Sequence, residues 1–251
     1  MSGSRNPTLP FHVTSYDLLK SLAVILMVVD HLGSYFFHEL MWLRALGRLC
    51  VPIWFFLAGY SRSQRLSGDF WLGAILLTAT EVGFGRIPLP LNILFSICFI
   101  RLILGRFMKF AGNRVDYLYG AMGLCMLAFP FTDVVFEYGT LGFILAMTGY
   151  IVRHREDYKQ DFVYGWAALS LGCFLGGTYI QFQFSALQYL FIATFSVFIM
   201  GMLACRPPQQ ETRYPKLDAQ PLLKRSLQFM GRYTLHIYVA HLMLFKIILF
   251  S

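Results

Sequence analysis

Three side chains suited to acid–base or anion-binding chemistry lie in the first long apolar run of the sequence. Lys20 stands near the beginning of the run, and Asp30 and His31 stand about two thirds of the way along it. Ionisable groups are costly at membrane depth unless they are paired, hydrated or used, so they mark a candidate functional site. An imidazole can move protons near neutral pH, and an ammonium group can bind a phosphate.

Helical register places Lys20 and His31 on one face. They are eleven residues apart, which is three turns plus about 20°, with an axial separation of roughly 16 Å. The pair therefore predicts one channel, with a phosphate-binding cation at its mouth and a base deeper inside. Asp30 lies about 100° away and faces a neighbouring helix, where it either pairs with Arg48 or orients His31. The simpler alternatives are a buried structural histidine and an interfacial lysine.

The elements that position these groups follow from the composition. Of 251 residues, 57% are hydrophobic and 14% are charged, and the mean hydropathy is +0.57. These values are unlike those of a soluble domain and predict an all-α transmembrane helical bundle, since one span needs roughly 20 apolar residues. About nine apolar stretches are present, with eight or ten spans as alternatives: 18–37, 48–61, 70–86, 91–109, 116–131, 134–152, 161–179, 185–204 and 225–250. We predict one domain over residues 1–251, because no polar stretch is long enough for a second.

The basic residues predict the orientation of the bundle. The net charge is +8, and most cations lie in the N-terminal segment or in alternate loops, at Arg5, Lys20, Arg62, Arg65, Arg106, Lys109, Arg114, Arg153, Arg155, Lys159, Arg206, Arg213, Lys216, Lys224 and Arg225. The intervening loops hold only Arg44, Arg48 and Arg86. This asymmetry predicts a cytoplasmic N-terminus and explains the charge without a nucleic-acid partner.

Further polar groups lie in or beside the later apolar stretches. The candidates to pair with Asp30, bind an anion or line a cavity are Arg48, Arg101, Arg232, Glu81, Asn92 and His241. Arg48 precedes Pro52, whose missing amide hydrogen predicts a bend in the second stretch. For Arg232 the alternative is an interfacial anchor, and for Glu81 and Asn92 it is hydrogen bonding within the core.

The sequence predicts no metal site. His236 and His241 are five residues apart, so they lie about 140° apart on a helix and do not share a face. The five cysteines stand singly, without metal-ligand spacing, and are expected to pack in the core. The segment 205–222 contains four prolines and is predicted to be a cytoplasmic loop without regular structure.

Blocks along nearly the whole chain resemble the conjugal-transfer pilin acetylase (TraX) family. They are Leu19-Lys20 through Asp30-His31, Leu43 to Arg48, Pro52-Ile53 to Leu57, Leu91 to Phe95, Glu137 to Gly142 and Gly231 to His241, in the same order as in the family. Lys20 and His31 also resemble the Arg-or-Lys, ten residues, His feature of the wider membrane acyltransferase superfamily.

The resemblance implies an acetyltransferase of the bacterial inner membrane that takes its acetyl group from cytoplasmic acetyl-coenzyme A (acetyl-CoA). It makes His31 the catalytic group, with Asp30 in support, and it implies that cations hold the phosphates of acetyl-CoA. The candidates for that role are Lys20, Arg48, Arg101 and Arg232. The implied acceptor is the N-terminal amine of a pilin, and an amine or hydroxyl of a glycan or small molecule is the alternative.

Two other classes of function remain open at the level of sequence. A transporter would use Asp30, His31 and Glu81 for proton coupling. An assembly component of a secretion or conjugation machine would need no catalysis at all. Within the enzyme class, direct transfer and a covalent acetyl-histidine route both fit the residues.

Overall fold

The computed structural model describes residues 12–63, 66–112, 114–209 and 212–250. These residues form twelve α-helices: α1 Ser15–Tyr35, α2 Met41–Gly47, α3 Cys50–Tyr60, α4 Gly68–Gly83, α5 Ile93–Ala111, α6 Val115–Val135, α7 Gly139–Arg153, α8 Gln160–Gln181, α9 Ala186–Cys205, α10 Pro215–Asp218, α11 Pro221–Arg232 and α12 Thr234–Phe250. The only pairing of extended backbone among them is an isolated parallel bridge between Leu91 and Phe136. The predicted all-α class is confirmed.

Several of these helices are long and apolar enough to cross a membrane. Among the described residues five units qualify, and they are 15–35, 41–60, 115–135, 160–181 and 186–205. The bent pair α11 and α12 raises the number to six if it is one span. The shorter α4 and α7 have 16 and 15 residues. The chain is therefore a membrane protein, while the nine spans and the cytoplasmic N-terminus stay predictions.

Helix α1 begins at a complete N-terminal cap. The hydroxyl of Thr14 accepts a hydrogen bond from the amide of Asp17, and the Asp17 carboxylate accepts one from the amide of Thr14. This reciprocal pair satisfies two of the amides that a helix start leaves without partners. The cap sets where α1 starts, and thereby the height at which Lys20 and His31 stand.

The prediction that 205–222 lacks regular structure is wrong in part. Helix α10 forms within it, and residues 210–211 lie outside the described part of the chain. The segment also binds the start of α1, since Val13 N–H donates to Asp218 at 3.0 Å and Gln209 N–H donates to Ser15 Oγ at 2.7 Å. The Val13 amide, with Lys224 nearby, lowers the pKa of the Asp218 carboxyl. Four prolines did not prevent folding because Pro215 occupies the first position of α10, where no amide hydrogen is needed.

One of the predicted apolar stretches is interrupted, and another begins at a break. The final stretch 225–250 does not form one helix, because α11 ends at Arg232 and α12 leaves it at an angle of 81°. At the start of the second stretch, 48–61, α2 and α3 are separated at Arg48 and Leu49, one turn before Pro52. The missing amide of Pro52 would have bonded to the carbonyl of Arg48, so the interruption lies where the sequence predicted a bend.

Helices α3 and α7 approach closely enough that backbone contacts backbone. A Cβ atom at Gly59 would overlap the carbonyl oxygen of Ala146, and one at Gly149 would overlap the carbonyl oxygen of Phe56. Small residues allow such approach between helices in lipid, where close packing rather than water exclusion holds helices together. Helix α3 also lines the central cavity described below, through Trp54 and Leu57 among others.

We expect Gly59→Ala to lower the free energy of unfolding by about 1–3 kcal/mol, because the added methyl group would force α3 away from α7. Thermal unfolding of the protein in detergent measures the change. Gly176→Ala on α8 is the matched control, since a Cβ there meets no atom within 4 Å. Equal melting temperatures for the two variants would contradict the proposed packing.

Candidate functional site

One cavity of about 1510 Å³ extends along most of α1, from Thr14 to His38. Most of the residues singled out from the sequence line it, namely Lys20, Asp30, His31, Arg48, Glu81, Asn92, Arg101 and Arg232. His241 packs against His31. The volume exceeds the roughly 300–1,000 Å³ of an ordinary small-molecule pocket. Space is therefore available for two reactants at once.

The two ends of this cavity differ in charge. We call the part lined by Lys20, Arg62, Arg101, Arg153 and Arg232 the basic end; Asp17 is the carboxylate that lines it. We call the part around His31 the histidine end, where the charged lining residues are Asp30, Glu81, Asp133, Glu137, Arg44, Arg48, Arg86 and Lys246. Four carboxylates and four cations balance at the histidine end, whereas cations dominate the basic end.

At the histidine end, two imidazoles from different helices meet. Nδ1 of His31 on α1 lies 2.7 Å from Nε2 of His241 on α12. The rings are nearly parallel, with centroids 4.9 Å apart. Nδ1 of His241 lies 2.6 Å from the carbonyl oxygen of Ile237, one turn earlier in α12.

This chain of contacts determines which nitrogen of His31 is available. A carbonyl oxygen can only accept, so His241 carries its hydrogen on Nδ1. Nε2 of neutral His241 then accepts a hydrogen bond from Nδ1–H of His31. The remaining nitrogen, Nε2 of His31, keeps its lone pair, and it has no hydrogen-bond partner among the described residues. Such an arrangement, a base oriented by a second group, is typical of a general base.

Asp30 pairs with arginines and does not orient His31. Its Oδ2 accepts from Arg44 Nη1 at 2.8 Å and also pairs with Arg48 Nη2. Asp30 and Arg48 are each 5% exposed, so the pair is buried at membrane depth. Of the two alternatives raised by the sequence, pairing with Arg48 is the one that the structure shows.

Arg48 connects this ion cluster to two further parts of the bundle. Its Nη1 donates to the hydroxyl of Tyr138, the residue before α7. Its guanidinium also lies 4.6 Å from the ring centroid of Phe182, which follows α8. The arginine is therefore held by contacts from several helices. Its position beside Asp30 gives it a structural task in addition to any contact with a ligand.

At the basic end, four of the five cations form no ion pair with a described carboxylate. They are Lys20, Arg62, Arg101 and Arg153, and Arg101 also stacks over Phe70 at 5.3 Å. Arg232 pairs with Asp17 at 3.5 Å. Like charges close together in a protein favour an anion between them. Arg153 is held in place by donating to the carbonyl of Tyr60 at 2.8 Å.

A smaller basic pocket of about 380 Å³ adjoins this end. Its described lining contains five cations and no carboxylate, and the cations are Arg62, Arg101, Arg106, Lys109 and Arg153. Three of them, Arg62, Arg101 and Arg153, also line the large cavity. The positive surface therefore continues from the cavity to the outside of the bundle.

Glu81 and Asn92 have structural partners. Glu81 pairs with Lys246, which is 4% exposed, at 2.8 Å and lies 3.5 Å from Arg86. Asn92 caps α5 by accepting from Leu94 N–H, and its amide group donates to the carbonyl of Ala74 on α4. For Asn92 these contacts match the core hydrogen bonding that the sequence left as an alternative, and for Glu81 they form an ion pair between α4 and α12.

No group of three or more His, Cys, Asp or Glu side chains in the described ranges is arranged to hold a metal ion. The five cysteines are free thiols, distributed over different helices.

A comparison with known protein families decides the affiliation of the chain. The model of the TraX protein family matches residues 15–249. This chain belongs to the TraX family. Placement in the wider membrane acyltransferase superfamily stays a prediction.

A relative of this TraX protein occurs in Rickettsia prowazekii (strain Madrid E), where the protein is uncharacterised. The two are 33% identical over 149 residues, which are 57% of this chain and 58% of the relative. The match thus spans somewhat more than half of each protein. No solved structure matches the chain.

Sequence reasoning left four residues of this TraX site out of its candidates: Arg44, Glu137, Tyr138 and Lys246. Arg44 had a usable signal, because it stands four residues before Arg48 and such spacing places both on one helical face. Lys246 is a cation within an apolar run, which is itself a signal. Glu137 and Tyr138 fall near the start of the predicted stretch 134–152 and in a block that resembles the family, but neither pattern indicated that their side chains face the cavity.

We expect Asp30→Asn to destabilise the TraX protein by about 3–5 kcal/mol, because the change leaves two buried guanidinium groups without a counter-charge. The melting temperature in detergent should fall strongly. Asp157→Asn, at an exposed position, is the matched control and should change stability by less than about 0.5 kcal/mol. A melting temperature of Asp30→Asn within experimental error of the wild type would show that the cluster does not stabilise the fold.

Proposed function

We propose that this protein is a membrane-embedded acetyltransferase that moves an acetyl group from acetyl-CoA to an amine, the N-terminal amine of a pilin. One observation carries the proposal. His31 is oriented by His241, keeps Nε2 free, and lines a cavity whose opposite end is basic. Such a cavity offers a proton acceptor where the reaction occurs and a cation cluster where a phosphorylated donor would be held.

In this proposal His31 acts as the general base. Its Nε2 takes a proton from the acceptor amine, so that the nitrogen lone pair can attack the thioester carbonyl carbon. The new C–N bond forms, the C–S bond breaks, and the proton held by His31 passes to the departing thiolate. His241 is a positioning residue, since it contacts His31. The same nitrogen of His31 would be the nucleophile if transfer went through an acetyl-histidine, and both routes remain within the proposal.

The basic end is the proposed site of the acetyl-CoA phosphates. Lys20 and Arg101 lie there and form no ion pair with any described carboxylate, and Arg62, Arg153 and Arg232 line the same region. Charge-assisted hydrogen bonds from such cations suit phosphate groups. Lys20 and His31 are separated by roughly 16 Å along α1, a distance that the thin pantetheine arm would cross. Arg48, a sequence candidate for the same task, lies at the other end beside Asp30.

Orientation in the membrane follows from the donor. Acetyl-CoA is a cytoplasmic metabolite, so the proposal places the basic end at the cytoplasmic face of the bacterial inner membrane. The abundance of Lys and Arg in the loops at that end supports this orientation. The acceptor would enter from the histidine end. A glycan or small-molecule acceptor is the runner-up, and TraX family membership favours a pilin.

The transporter hypothesis has less support. It required Asp30 and Glu81 to carry protons, yet Asp30 accepts from two guanidinium groups and Glu81 pairs with Lys246. Carboxylates held by cations are stabilised in their charged form and exchange protons reluctantly. An assembly protein without catalysis would not need His31 to face the cavity with a free nitrogen.

We expect His31→Ala to lower acetyl transfer by about 10²–10⁴-fold, the usual contribution of a general base. Binding of acetyl-CoA, measured by calorimetry on detergent-purified protein, should change little because His31 lies away from the basic end. His241→Ala should also reduce turnover, and His241→Gln should recover part of it, because the Gln oxygen can accept from His31 Nδ1–H. Near wild-type turnover in His31→Ala would refute the mechanism, and His241→Gln no better than His241→Ala would refute the positioning role.

We expect Lys20→Ala and Arg101→Ala each to weaken acetyl-CoA binding by about tenfold, as fits the loss of one charge-assisted phosphate contact of about 1.5–3 kcal/mol. Arg155→Ala removes an exposed cation that lines neither pocket and is the matched control. Unchanged dissociation constants for both cavity variants would remove the basic end from the donor site. No acetyl-CoA binding by wild-type protein at millimolar ligand would contradict the acetyltransferase itself.

A further inference from the structure

Glu137 is a carboxylate of the cavity lining whose backbone N–H and carbonyl both form hydrogen bonds. It lies in the short connection between α6 and α7. Its N–H donates to the carbonyl of Leu91 at 3.0 Å, and its own carbonyl accepts from the hydroxyl of Ser96 at 2.7 Å. The position of the residue is therefore determined by α5 and the segment before it. Glu137 lines the histidine end of the cavity.

The carboxylate of Glu137 has one hydrogen-bond partner among the described residues. Oε2 accepts from the amide of Ile93 at 2.7 Å. Ile93 is the first residue of α5, so the carboxylate lies at the positive end of a helix dipole, which favours the anion. No described Lys, Arg or His pairs with Glu137, and Oε1 has no described partner. Arg48 and Arg44 act on this carboxylate electrostatically, but neither of them forms an ion pair with it among the described residues.

Other carboxylates at the histidine end have side-chain partners. Asp30 pairs with Arg44 and Arg48, and Glu81 pairs with Lys246. Asp133 accepts from the side-chain amide of Gln181 at 2.7 Å. Glu137 differs from these three because its only described donor is a backbone amide. A carboxylate oxygen that lines a cavity without a direct partner is a place where a ligand can supply one.

The neighbours of Glu137 place it in the same compartment as the proposed base. Tyr138, the next residue, accepts from Arg48, which pairs with Asp30. Asp30 immediately precedes His31, and the ring of Tyr238 lies 5.8 Å from that of His31. Both Glu137 and His31 line the cavity. A ligand bound at Glu137 therefore shares the histidine end with Nε2 of His31.

We propose that Glu137 binds the ammonium group of the acceptor and thereby selects an amine over a hydroxyl. The inference rests on the proposed acetyltransferase function and names its acceptor class. An ammonium would form a direct ion pair with Oε1 of Glu137, whereas a hydroxyl could offer it only a weaker, neutral hydrogen bond. The ammonium gives one proton to His31 Nε2, and the amine nitrogen then bonds to the acetyl carbon as the C–S bond breaks. The thiolate takes the proton from His31, and the nitrogen releases its second proton to Glu137 and then to solvent. In sum, an ammonium ion and acetyl-CoA give the acetamide, CoA thiol and one proton.

The variant Glu137→Gln tests the negative charge of the side chain separately from its hydrogen bond to α5. The Gln oxygen can still accept from Ile93 N–H, so the cap on α5 is kept while the negative charge is lost. Asp133→Asn is the matched control, because it makes the same chemical change on a carboxylate in the same cavity that already has a side-chain donor. Acetyl-CoA binding at the basic end reports whether each variant is folded.

The experiment measures binding of two soluble probes to the full-length protein in detergent by calorimetry. One probe is the peptide amide Ala-Ala-Ser-Ala, and the other is its desamino counterpart, propionyl-Ala-Ser-Ala amide. We expect wild type and Asp133→Asn to bind the amine peptide at least about tenfold more tightly than the desamino peptide. Glu137→Gln should bind the two equally.

Two results would overturn the inference: no preference of the wild type for the amine peptide, or an undiminished preference in Glu137→Gln. The first needs no variant, so it decides even if Glu137→Gln fails to fold. Acetyl transfer is followed separately. Amine preference without any transfer by the wild type would contradict the proposed acetyltransferase but support the amine site. Transfer without amine preference would support the acetyltransferase but contradict the amine site.

Discussion

The buried ion cluster of Asp30 with Arg44 and Arg48 is the interaction on which the rest of the site depends. A charge at membrane depth is stable only with its partners, so the cluster fixes α1 against the junction of α2 and α3. Arg48 extends that constraint to Tyr138 before α7 and to Phe182 after α8. Because His31 follows Asp30 in the chain, the position of the imidazole depends on this cluster even though the two side chains do not contact each other.

The charge of the cavity lining changes along α1. Cations dominate one end, and cations and carboxylates balance at the other. An electropositive region attracts any multiply charged anion, whatever its detailed structure. A region in which charges balance distinguishes between ligands through individual charge pairs. That division suits a transfer between two different reactants, one carrying phosphates and one carrying an amine. His31 lies at the balanced end, so the thin reactive arm of the donor would have to travel from one end to the other.

His31 is oriented through His241 to a main-chain carbonyl, not through a carboxylate. A carboxylate in that place would add a negative charge next to the base, whereas a carbonyl orients the ring and adds none. Asp30 is consequently available to hold the arginines. The chain belongs to the TraX family, and the orientation of His31 and the carboxylate of Glu137 supply the chemical detail of the proposals.

The sequence by itself determined the all-helical class, since long apolar runs in lipid have to satisfy their backbone hydrogen bonds internally. It also determined that Lys20 and His31 share a face, because helical register depends on local geometry alone. Which partners these residues meet was decided by tertiary structure. His241 is 210 residues from His31 in the chain. Glu137 is held at the cavity by the hydrogen bond from its N–H to the carbonyl of Leu91. Local periodicity carries no information about contacts between distant helices, so the imidazole pair and the unpaired carboxylate emerge only when the bundle is assembled.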